Sequence, residues 1–185
     1  MIRKPFGAFE IELREVDSFC LDHSEIEAQY SKVYKDEESD SYQPKVHGIR
    51  VRLEGEEVGC AAICAVGGAT GIHENSSVIV KDDLLVCCAN KIISLSLPKL
   101  SLNWMQECDD FTCFQVFRNE VGIFVHGEDS VSRIGPDGGI LWRVFFGDIT
   151  ITLEGDDTFI LNSDSIDVMD WEYNRCKLNF DGEYI

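Results

Sequence analysis

The most regular part of the chain reads Gly122-Ile-Phe-Val-His-Gly-Glu-Asp-Ser-Val-Ser-Arg-Ile-Gly-Pro-Asp-Gly-Gly-Ile-Leu-Trp-Arg-Val144. Two short apolar runs are followed by the tight-turn signal Asp137-Gly-Gly and by a third run that contains Trp142. Short apolar runs that are separated by Asp-Gly turns indicate antiparallel strands joined by tight connections. The segment therefore predicts a β-meander.

This pattern occurs three times between residues 77 and 182. The first halves of the copies align without gaps, at residues 78–87, 115–124 and 150–159. Each copy continues into a second apolar run, a turn and a third run, so that four strands are predicted per copy. The predicted strands are 78–80, 84–88, 92–97 and 100–106 in the first copy, 114–117, 122–126, 130–134 and 140–146 in the second, and 149–153, 158–162, 166–169 and 176–180 in the third.

Tryptophans mark corresponding positions in the copies. Trp104 follows Pro98 by six residues and Trp142 follows Pro136 by six, whereas the third copy has Trp171 at the proline position and no tryptophan in its last predicted strand. The unit at 122–144, with two strands, an Asp-Gly turn and a tryptophan in the last strand, resembles a blade of the quinoprotein-type (WD/PQQ-like) β-propellers. The resemblance covers residues 78–182 and implies the fold of a blade, without implying a cofactor.

Residues 1–57 have a different character. Alternating apolar and charged residues predict strands at 9–14 and 47–54, and a run of small apolar residues at 58–66 completes a hairpin with the latter. Between them, residues 22–35 predict a helix that Asp22 or Ser24 would cap. The acidic segment 36–44 is predicted to be a loop.

We therefore predict a mainly β fold with two parts in one compact unit. Residues 76–185 would form three four-stranded antiparallel propeller-like blades, at 78–110, 114–146 and 149–182, and residues 1–75 a small N-terminal α+β cap. Propellers close with four to eight blades, so three copies predict a partial, open array. Two alternatives are a distorted fourth blade built from strands 9–14, 47–54 and 58–66, and a curved β-sandwich.

Charge limits the classes of partner. The chain of 185 residues has 34 acidic and 16 basic residues, a net charge of −18, which disfavours binding to nucleic acid or to anionic membranes. It has no run of 18 apolar residues and no visible secretory signal. Most of its eight cysteines lie in or beside apolar runs, where a free thiol acts as a small hydrophobe. These features together predict reduced thiols and a cytoplasmic location.

No motif in the sequence indicates catalysis, metal binding or cofactor binding more strongly than it indicates an ordinary structural role. Gly67-Gly-Ala-Thr-Gly71 lacks the following Lys-Ser/Thr of a phosphate-binding loop. The cysteine pairs lack the spacing of a zinc site, and the acidic turns lack the calcium-loop pattern. The most suggestive group is His126 with Glu128 close by in sequence, which His73 would join in a cleft of an enzyme or a small-ligand binder.

The acidic residues are concentrated at the C-terminal end of the chain. Residues 147–185 contain ten acidic and two basic residues, a net charge of −8. Carboxylates that surround aromatic side chains favour recognition of a basic protein, because aromatics anchor an interface and charge steers the encounter. The predicted contact residues are Asp156, Asp157, Asp164, Asp167, Asp170, Trp171, Glu172 and Tyr173.

The favoured hypothesis is therefore a non-enzymatic interaction module that binds a basic protein partner and uses no metal or cofactor. A toxin-neutralising immunity protein is one concrete form, since such a protein is small, acidic and without a site of its own. Exposed blade edges would also permit association between copies of the chain. The alternative is an enzyme or small-ligand-binding β-protein with a cleft near His126, Glu128 and His73.

Overall fold

The computed structural model describes residues 1–16, 23–40, 42–147, 159–170, 172 and 174–185. Within these residues the chain is mainly β, with sixteen strands, one short helix, α1 (His23–Gln29), and one 3₁₀ turn, Glu74–Ser76. The strands form four sheets that pack against one another as an open array. The prediction of a mainly β, open, propeller-like fold is confirmed.

Each sheet is built mainly from strands that follow one another in the sequence. The N-terminal sheet has the order β1-β2-β4-β5-β3 and contains β1 (Ile2–Phe6), β2 (Phe9–Val16), β3 (Val33–Lys35), β4 (Lys45–Leu53) and β5 (Glu56–Ala65). The second sheet contains β6 (Ser77–Val80), β7 (Asp83–Cys88), β8 (Lys91–Ser96) and β9 (Ser101–Glu107). The third sheet contains β10 (Cys113–Arg118), β11 (Ile123–Gly127), β12 (Ser130–Ile134) and β13 (Ile140–Phe145). The last sheet contains β14 (Phe159–Leu161), β15 (Ile166–Met169) and β16 (Arg175–Leu178).

The N-terminal segment has two strands that the sequence pattern does not indicate, and a shorter helix. Pro5 interrupts the pattern of β1, yet proline is tolerated because β1 lies at a sheet edge. The helix predicted at 22–35 ends at Gln29, and β3 takes the rest of that range, pairing parallel with β5. Strands β1, β2, β4 and β5 pair antiparallel in chain order, as the strands of the second and third sheets do. The N-terminal segment is therefore itself a blade-like meander with an added helix and edge strand.

Apolar side chains fill the space between successive layers. Ile26 of helix α1 and Tyr30, the residue after the helix, pack against one face of the N-terminal sheet. The other face packs on the second sheet, the second sheet packs on the third, and the third packs on the last. A strand contributes to both neighbouring layers because its successive side chains point to opposite faces of the sheet.

A tryptophan contact repeats between successive sheets. The indole N–H of Trp104, on β9, donates to the carbonyl oxygen of Pro136 at 3.2 Å, and the indole of Trp142, on β13, donates to that of Phe180 at 3.0 Å. In each case the ring lies against a glycine two residues further on. A Cβ on Gly138 would lie 2.6 Å from Trp104, and one on Gly182 would lie 2.8 Å from Trp142.

A turn with the same hydrogen-bonding pattern follows β12 in the third sheet and β16 in the last sheet. The backbone N–H of Gly135 donates to Gly139 at 2.8 Å, and the N–H of Asn179 donates to Glu183 at 2.9 Å. Because the two turns correspond, β16 is equivalent to β12, the third strand of the third sheet. Tyr184 pairs with Leu178 at the position where a fourth strand would begin. The prediction that residues 176–180 form the fourth strand of their copy is therefore wrong. They correspond to the third strand, because the turn that precedes the fourth strand comes after them. The predicted strand 149–153 lies outside the described residues.

The glycine-rich loop at 67–71 joins three sheets. The Thr70 hydroxyl lies 3.0 Å from the carbonyl oxygen of Ala89 in the second sheet and 2.9 Å from that of Cys113 in the third. The carbonyl oxygen of Thr70 lies 3.1 Å from Nε2 of His47 in the N-terminal sheet. A Cβ on Gly68 would lie 1.7 Å from the Thr112 hydroxyl. Close approach of the backbone, rather than phosphate binding, therefore accounts for the glycines.

Candidate functional site

The structure describes half of the predicted partner-binding residues. Asp164, Asp167, Asp170 and Glu172 are described, whereas Asp156, Asp157, Trp171 and Tyr173 lie outside the described residues. Asp164 is exposed in the turn between β14 and β15, and Glu172 is exposed in the turn between β15 and β16. These turns lie at opposite ends of β15, so Asp164 and Glu172 lie apart from each other.

The Asp170 side chain is used in hydrogen bonds within its own turn. Its carboxylate accepts hydrogen bonds from the backbone N–H groups of Glu172 and Asn174, both at 2.9 Å, and from the Asn174 side chain at 3.1 Å. Asp167 lies opposite Lys177 in the pairing of β15 with β16. These two carboxylates are therefore less available to a partner than the exposed turn residues.

Two further acidic residues lie at the same end of the last sheet as Asp164. In an antiparallel meander, the turn after the first strand and the turn after the third strand lie at the same end. The turn after β16 carries Asp181, with a side chain that is 83% exposed, and Glu183, which is also exposed. Asp164, Asp181 and Glu183 form what we call the acidic end. The sequence shows these acids but cannot bring them together, because the correspondence of β16 with β12 is a tertiary feature.

His126 occupies an enclosed structural position. It is 1% exposed, its Nδ1 lies 3.0 Å from the side-chain oxygen of Gln115, and its ring stacks on Phe159 with 4.9 Å between centroids. Burial lowers the pKa of His126 to about 4, so the imidazole is neutral at physiological pH. A neutral ring enclosed in this way is poorly placed to exchange protons with a substrate in solution.

The other two members of the predicted catalytic group are engaged elsewhere. Nε2 of His73 lies 3.0 Å from the carbonyl oxygen of Phe114, and the Glu128 carboxylate accepts a hydrogen bond from the Thr112 hydroxyl at 2.7 Å. In the described part of the chain, no hydrogen bond or ion pair joins any two of His73, His126 and Glu128. The geometry therefore does not assemble the group that the alternative hypothesis requires.

A buried carboxyl pair was not indicated by the sequence. Asp109 is fully buried, and its carboxylate accepts hydrogen bonds from the backbone N–H groups of Phe111 at 2.9 Å and Ser130 at 3.1 Å and from the Ser130 hydroxyl at 2.7 Å. Burial acts to raise the pKa of Asp109, but hydrogen bonds to the carboxylate outweigh it, so the pKa lies below its usual value. Burial and then the adjacent Asp109 carboxylate raise the pKa of Asp129. The pair ties the turn between β11 and β12 to the segment before β10.

The cysteines of the described residues are structural. All seven are free thiols, and six of them are buried between or against the sheets. Burial raises the pKa of Cys64 to about 11, so this thiol stays protonated at neutral pH. Over the described ranges, no group of three or more histidine, cysteine or acidic side chains has an arrangement that could hold a metal ion. No helix in the described part of the chain is long and apolar enough to cross a membrane.

Three surface clefts are wide enough to receive a side chain or a peptide. One, of about 380 Å³, lies beside Asp36, Lys91 and Glu107. A second, the axial cleft, of about 400 Å³, is lined by the first strands of three sheets, β1, β6 and β10. The third, of about 330 Å³, lies between turns of the second and third sheets. None of the three is lined by the histidine group discussed above.

Comparison with solved structures agrees with this architecture. The chain is similar to the WD40 domain of Pan2 from Neurospora crassa, with 17% identity, a TM-score of 0.48, and coverage of 64% of this chain and 37% of that chain. It is similar to the computationally designed Ika8 protein, with 11% identity, a TM-score of 0.53, and coverage of 77% and 45%. It is also similar to the AfRom2 CNH domain, with 15% identity, a TM-score of 0.47, and coverage of 76% and 46%. The chain spans less than half of each of these structures.

These comparisons bear on the fold alone, because all three identities are low. No protein-family model and no curated protein sequence matches the chain. The neighbours include a WD40 domain and a CNH domain. The described strands of this chain form two four-stranded antiparallel sheets beside a five-stranded and a three-stranded sheet. The quinoprotein type suggested by the Asp-Gly turns and tryptophans stays a prediction.

Proposed function

We propose that the chain is a non-enzymatic protein-interaction module that binds a basic protein partner through the acidic end of its last sheet. The observation that carries this proposal is the convergence of Asp164, Asp181 and Glu183, all exposed, on one end of that sheet. The net charge of −18 adds a long-range attraction for a basic partner. A toxin-neutralising immunity protein is the concrete form that we favour, since it needs charge complementarity and no catalytic site.

Two features of the described residues support this proposal over an enzyme. The histidines that would serve a catalytic cleft are used in structural hydrogen bonds, and the best-satisfied carboxylate, Asp109, closes a turn. Within the described residues, by contrast, the side chains of the acidic end accept only two hydrogen bonds, from Ser165 to Asp164 and from Asn179 to Glu183, besides an ion pair of Asp181 with Arg133 at 3.7 Å. Exposed charges of this kind raise the association rate with an oppositely charged partner, because they attract it over long range.

The test compares two triple variants that change the net charge equally. Basic proteins captured at low salt by the wild-type chain would be purified and titrated against D164N/D181N/E183Q and against the control E37Q/E38Q/E56Q, whose acids are exposed at other places. We expect the first variant to weaken binding by about 5-fold to 30-fold and the control by about 2-fold or less. Equal weakening by both variants, or no basic protein captured at low salt, would contradict the proposal.

A further inference from the structure

The cleft of about 330 Å³ between the second and third sheets has a charge opposite to that of the molecule. It is lined by residues 80 and 81 of the turn after β6, residues 118–123 around the turn after β10, residues 133–136 around the turn after β12, and Leu141. Three of its lining residues, Lys81, Arg118 and Arg133, are cations, and one, Glu120, is an acid. We call it the cationic cleft.

Two of these cations are unpaired. Within the described residues, the side chains of Lys81 and Arg118 make no hydrogen bond and no ion pair, although acidic residues outnumber basic ones by more than two to one in this chain. Among the described cations only Lys99 and Lys177 share this condition, and neither lines a cleft described above. Half of the unpaired cations therefore face one cleft, where an incoming carboxylate would find them without displacing an internal partner.

The turns that carry these cations are held in place before any ligand arrives. The Asn119 side-chain oxygen accepts hydrogen bonds from the backbone N–H groups of Val121 at 2.9 Å and Gly122 at 3.0 Å. Lys81 lies in the left-handed region, with φ of 57°, and the carbonyl oxygen of the next residue, Asp82, accepts a hydrogen bond from Leu97 at 2.7 Å. Preformed turns lower the ordering cost of binding.

Arg133 adds a fixed positive charge at the wall of the cleft. Its guanidinium donates to the carbonyl oxygens of Val121 and Phe180, both at 2.9 Å, and lies 5.9 Å from the centre of the Phe124 ring. The Arg133 Nε is buried without a hydrogen-bond partner in the described residues. Because the side chain is held on several sides, its charge remains at the cleft whether or not a ligand is present.

The remaining lining is apolar and partly exposed. Val121 is 44% exposed and Leu141 is 60% exposed, and Val80, Ile123 and Ile134 lie beside them. Exposed apolar side chains rimmed by charge are typical of an interaction surface. A suitable ligand therefore needs an apolar group next to a carboxylate.

The cationic cleft continues into the axial cleft. Arg118 lines both, and the axial cleft also contains residues 77–79 of β6, residues 116 and 117 of β10, and Lys4, which forms an ion pair with Glu74 of the same cleft at 3.0 Å. Both β6 and β10 are edge strands of their sheets, so their outer backbone groups are unpaired within those sheets. An extended segment that enters beside Lys81 can therefore continue along these edges past Arg118.

We propose that the cationic cleft binds an extended acidic–apolar peptide segment of a partner protein, with its carboxylates at Lys81 and Arg118 and its apolar side chains against Val121 and Leu141. The cationic cleft and the acidic end would attract opposite charges, and the ion pair of Arg133 with Asp181 at 3.7 Å joins the wall of the cleft to the acidic end. A protein with both surfaces could join an acidic and a basic partner.

An array of synthetic hexapeptides tests the chemistry of the ligand. The acidic peptides combine leucine or phenylalanine with one or two aspartates or glutamates, and matched peptides carry the corresponding amides or lysines. We expect binding to the acidic peptides, measured by fluorescence anisotropy, to exceed binding to their amide analogues by about 10-fold. Equal binding of the acidic and amide peptides would overturn the proposal.

Four variants then locate the binding to the cleft. The double variant K81Q/R118Q should weaken the best acidic peptide by about 10-fold, whereas the matched control K99Q/K177Q, which removes the two unpaired cations elsewhere, should change it by less than about 2-fold. E120Q, which removes the acid that lines the cleft, should strengthen binding by about 2-fold to 5-fold. L141S should weaken binding, because it removes an apolar contact without changing charge. If K81Q/R118Q and K99Q/K177Q have the same effect while both retain the wild-type circular dichroism spectrum, the cleft is not the site.

Discussion

The space between the N-terminal and second sheets and the space between the third and last sheets are filled in different ways. The first, which we call the aliphatic interface, contains buried isoleucine, leucine, valine, alanine and cysteine, and the aromatic side chains that pack against it, Phe6, Phe9 and Tyr34, are only partly buried. The second, the aromatic interface, has Phe124 and Phe159 buried, with four further aromatic side chains packed around them. Aliphatic packing has few angular requirements, whereas aromatic rings favour particular distances and tilts. Sheets therefore stack in a similar way at both interfaces, through aliphatic side chains with few geometric requirements at the first and through aromatic side chains with stricter ones at the second.

The largest expected effect is that of truncating Phe124 in the aromatic interface. Phe124 is fully buried, and its ring centroid lies 5.3 Å from that of Phe180 and 6.2 Å from that of Trp142. Phe124→Ala should lower the free energy of unfolding by about 3–5 kcal/mol, through lost burial and the cavity that remains. Urea denaturation measures the loss, and a change below about 1 kcal/mol would contradict the described packing.

Conservative substitutions sharpen the contrast between the two interfaces. Leu95→Met, in the aliphatic interface, should cost less than about 1.5 kcal/mol because volume is nearly conserved. Phe124→Leu should cost about 1.5–3 kcal/mol, because it removes ring contacts as well as volume. If the two substitutions cost the same in urea denaturation, the aromatic interface has no special geometric requirement.

The repeated tryptophan contact predicts the next largest effect. Gly182 has φ of 83°, and an added Cβ would meet the Trp142 ring. Gly182→Ala should therefore cost about 2–4 kcal/mol, from left-handed backbone strain and the clash together. The matched control is Gly55→Ala, since Gly55 has φ of 89° but nothing within 4 Å of a Cβ, and it should cost only about 1 kcal/mol. Equal losses in thermal unfolding would mean that the indole contributes nothing to the requirement for glycine.

Acid should weaken the protein through one buried histidine in each region. Burial lowers the pKa of His47, in the N-terminal sheet, and of His126, in the third sheet, to about 4. The unfolded chain then binds more protons than the folded chain between about pH 6.5 and about pH 4, so stability falls as the pH falls through this window. Each histidine should account for about 2 kcal/mol between about pH 8 and about pH 5.

His126→Phe provides the measurement for the aromatic side. The substitution keeps a ring against Phe159 and removes the titrating group, so the acid-dependent loss in urea denaturation should shrink by about half. His47 remains as the internal reference in the other region. An unchanged dependence on pH would show that His126 does not titrate differently on unfolding.

The smallest expected effect has the opposite sign. Since the pKa of Asp129 is raised in the folded state, the folded chain binds the proton more strongly than the unfolded chain, and stability falls as the pH rises from the ordinary carboxyl range through the raised pKa. Asp129→Asn removes this loss and should stabilise the protein by about 1 kcal/mol at about pH 8, with little effect at about pH 4. Glu37→Asn, at an exposed position, serves as the control. A destabilising effect of Asp129→Asn at the higher pH would refute the assignment.

The periodicity of the sequence predicted the strands of the meander well, but it did not predict the contacts that they make with distant segments. The strands of the second and third sheets lie within a few residues of their predicted positions, since tight turns and alternating residues are local signals. Residues 33–35 look helical because Ile26, Tyr30 and Val33 share a helical face, and only pairing with β5 makes them a strand. Asp164 stays a predicted contact residue, and the sequence does not indicate that Asp181 and Glu183 lie at the same end of the sheet, because the turn after β16 brings them there.

The sequence by itself determined the mainly β class, the repeating meander, the acidic character and the corresponding positions of Trp104 and Trp142. These follow from local periodicity, composition and turn residues, which act over a few positions along the chain. Only the tertiary structure decided that the tryptophans contact the turn of the next sheet, that the N-terminal segment is a blade-like sheet, that the glycine-rich loop joins three sheets, and that His126 is enclosed. It also brought Lys81 and Arg118 to one cleft. Each of these depends on contacts between residues far apart in sequence, and the energy of such contacts arises only when the sheets pack.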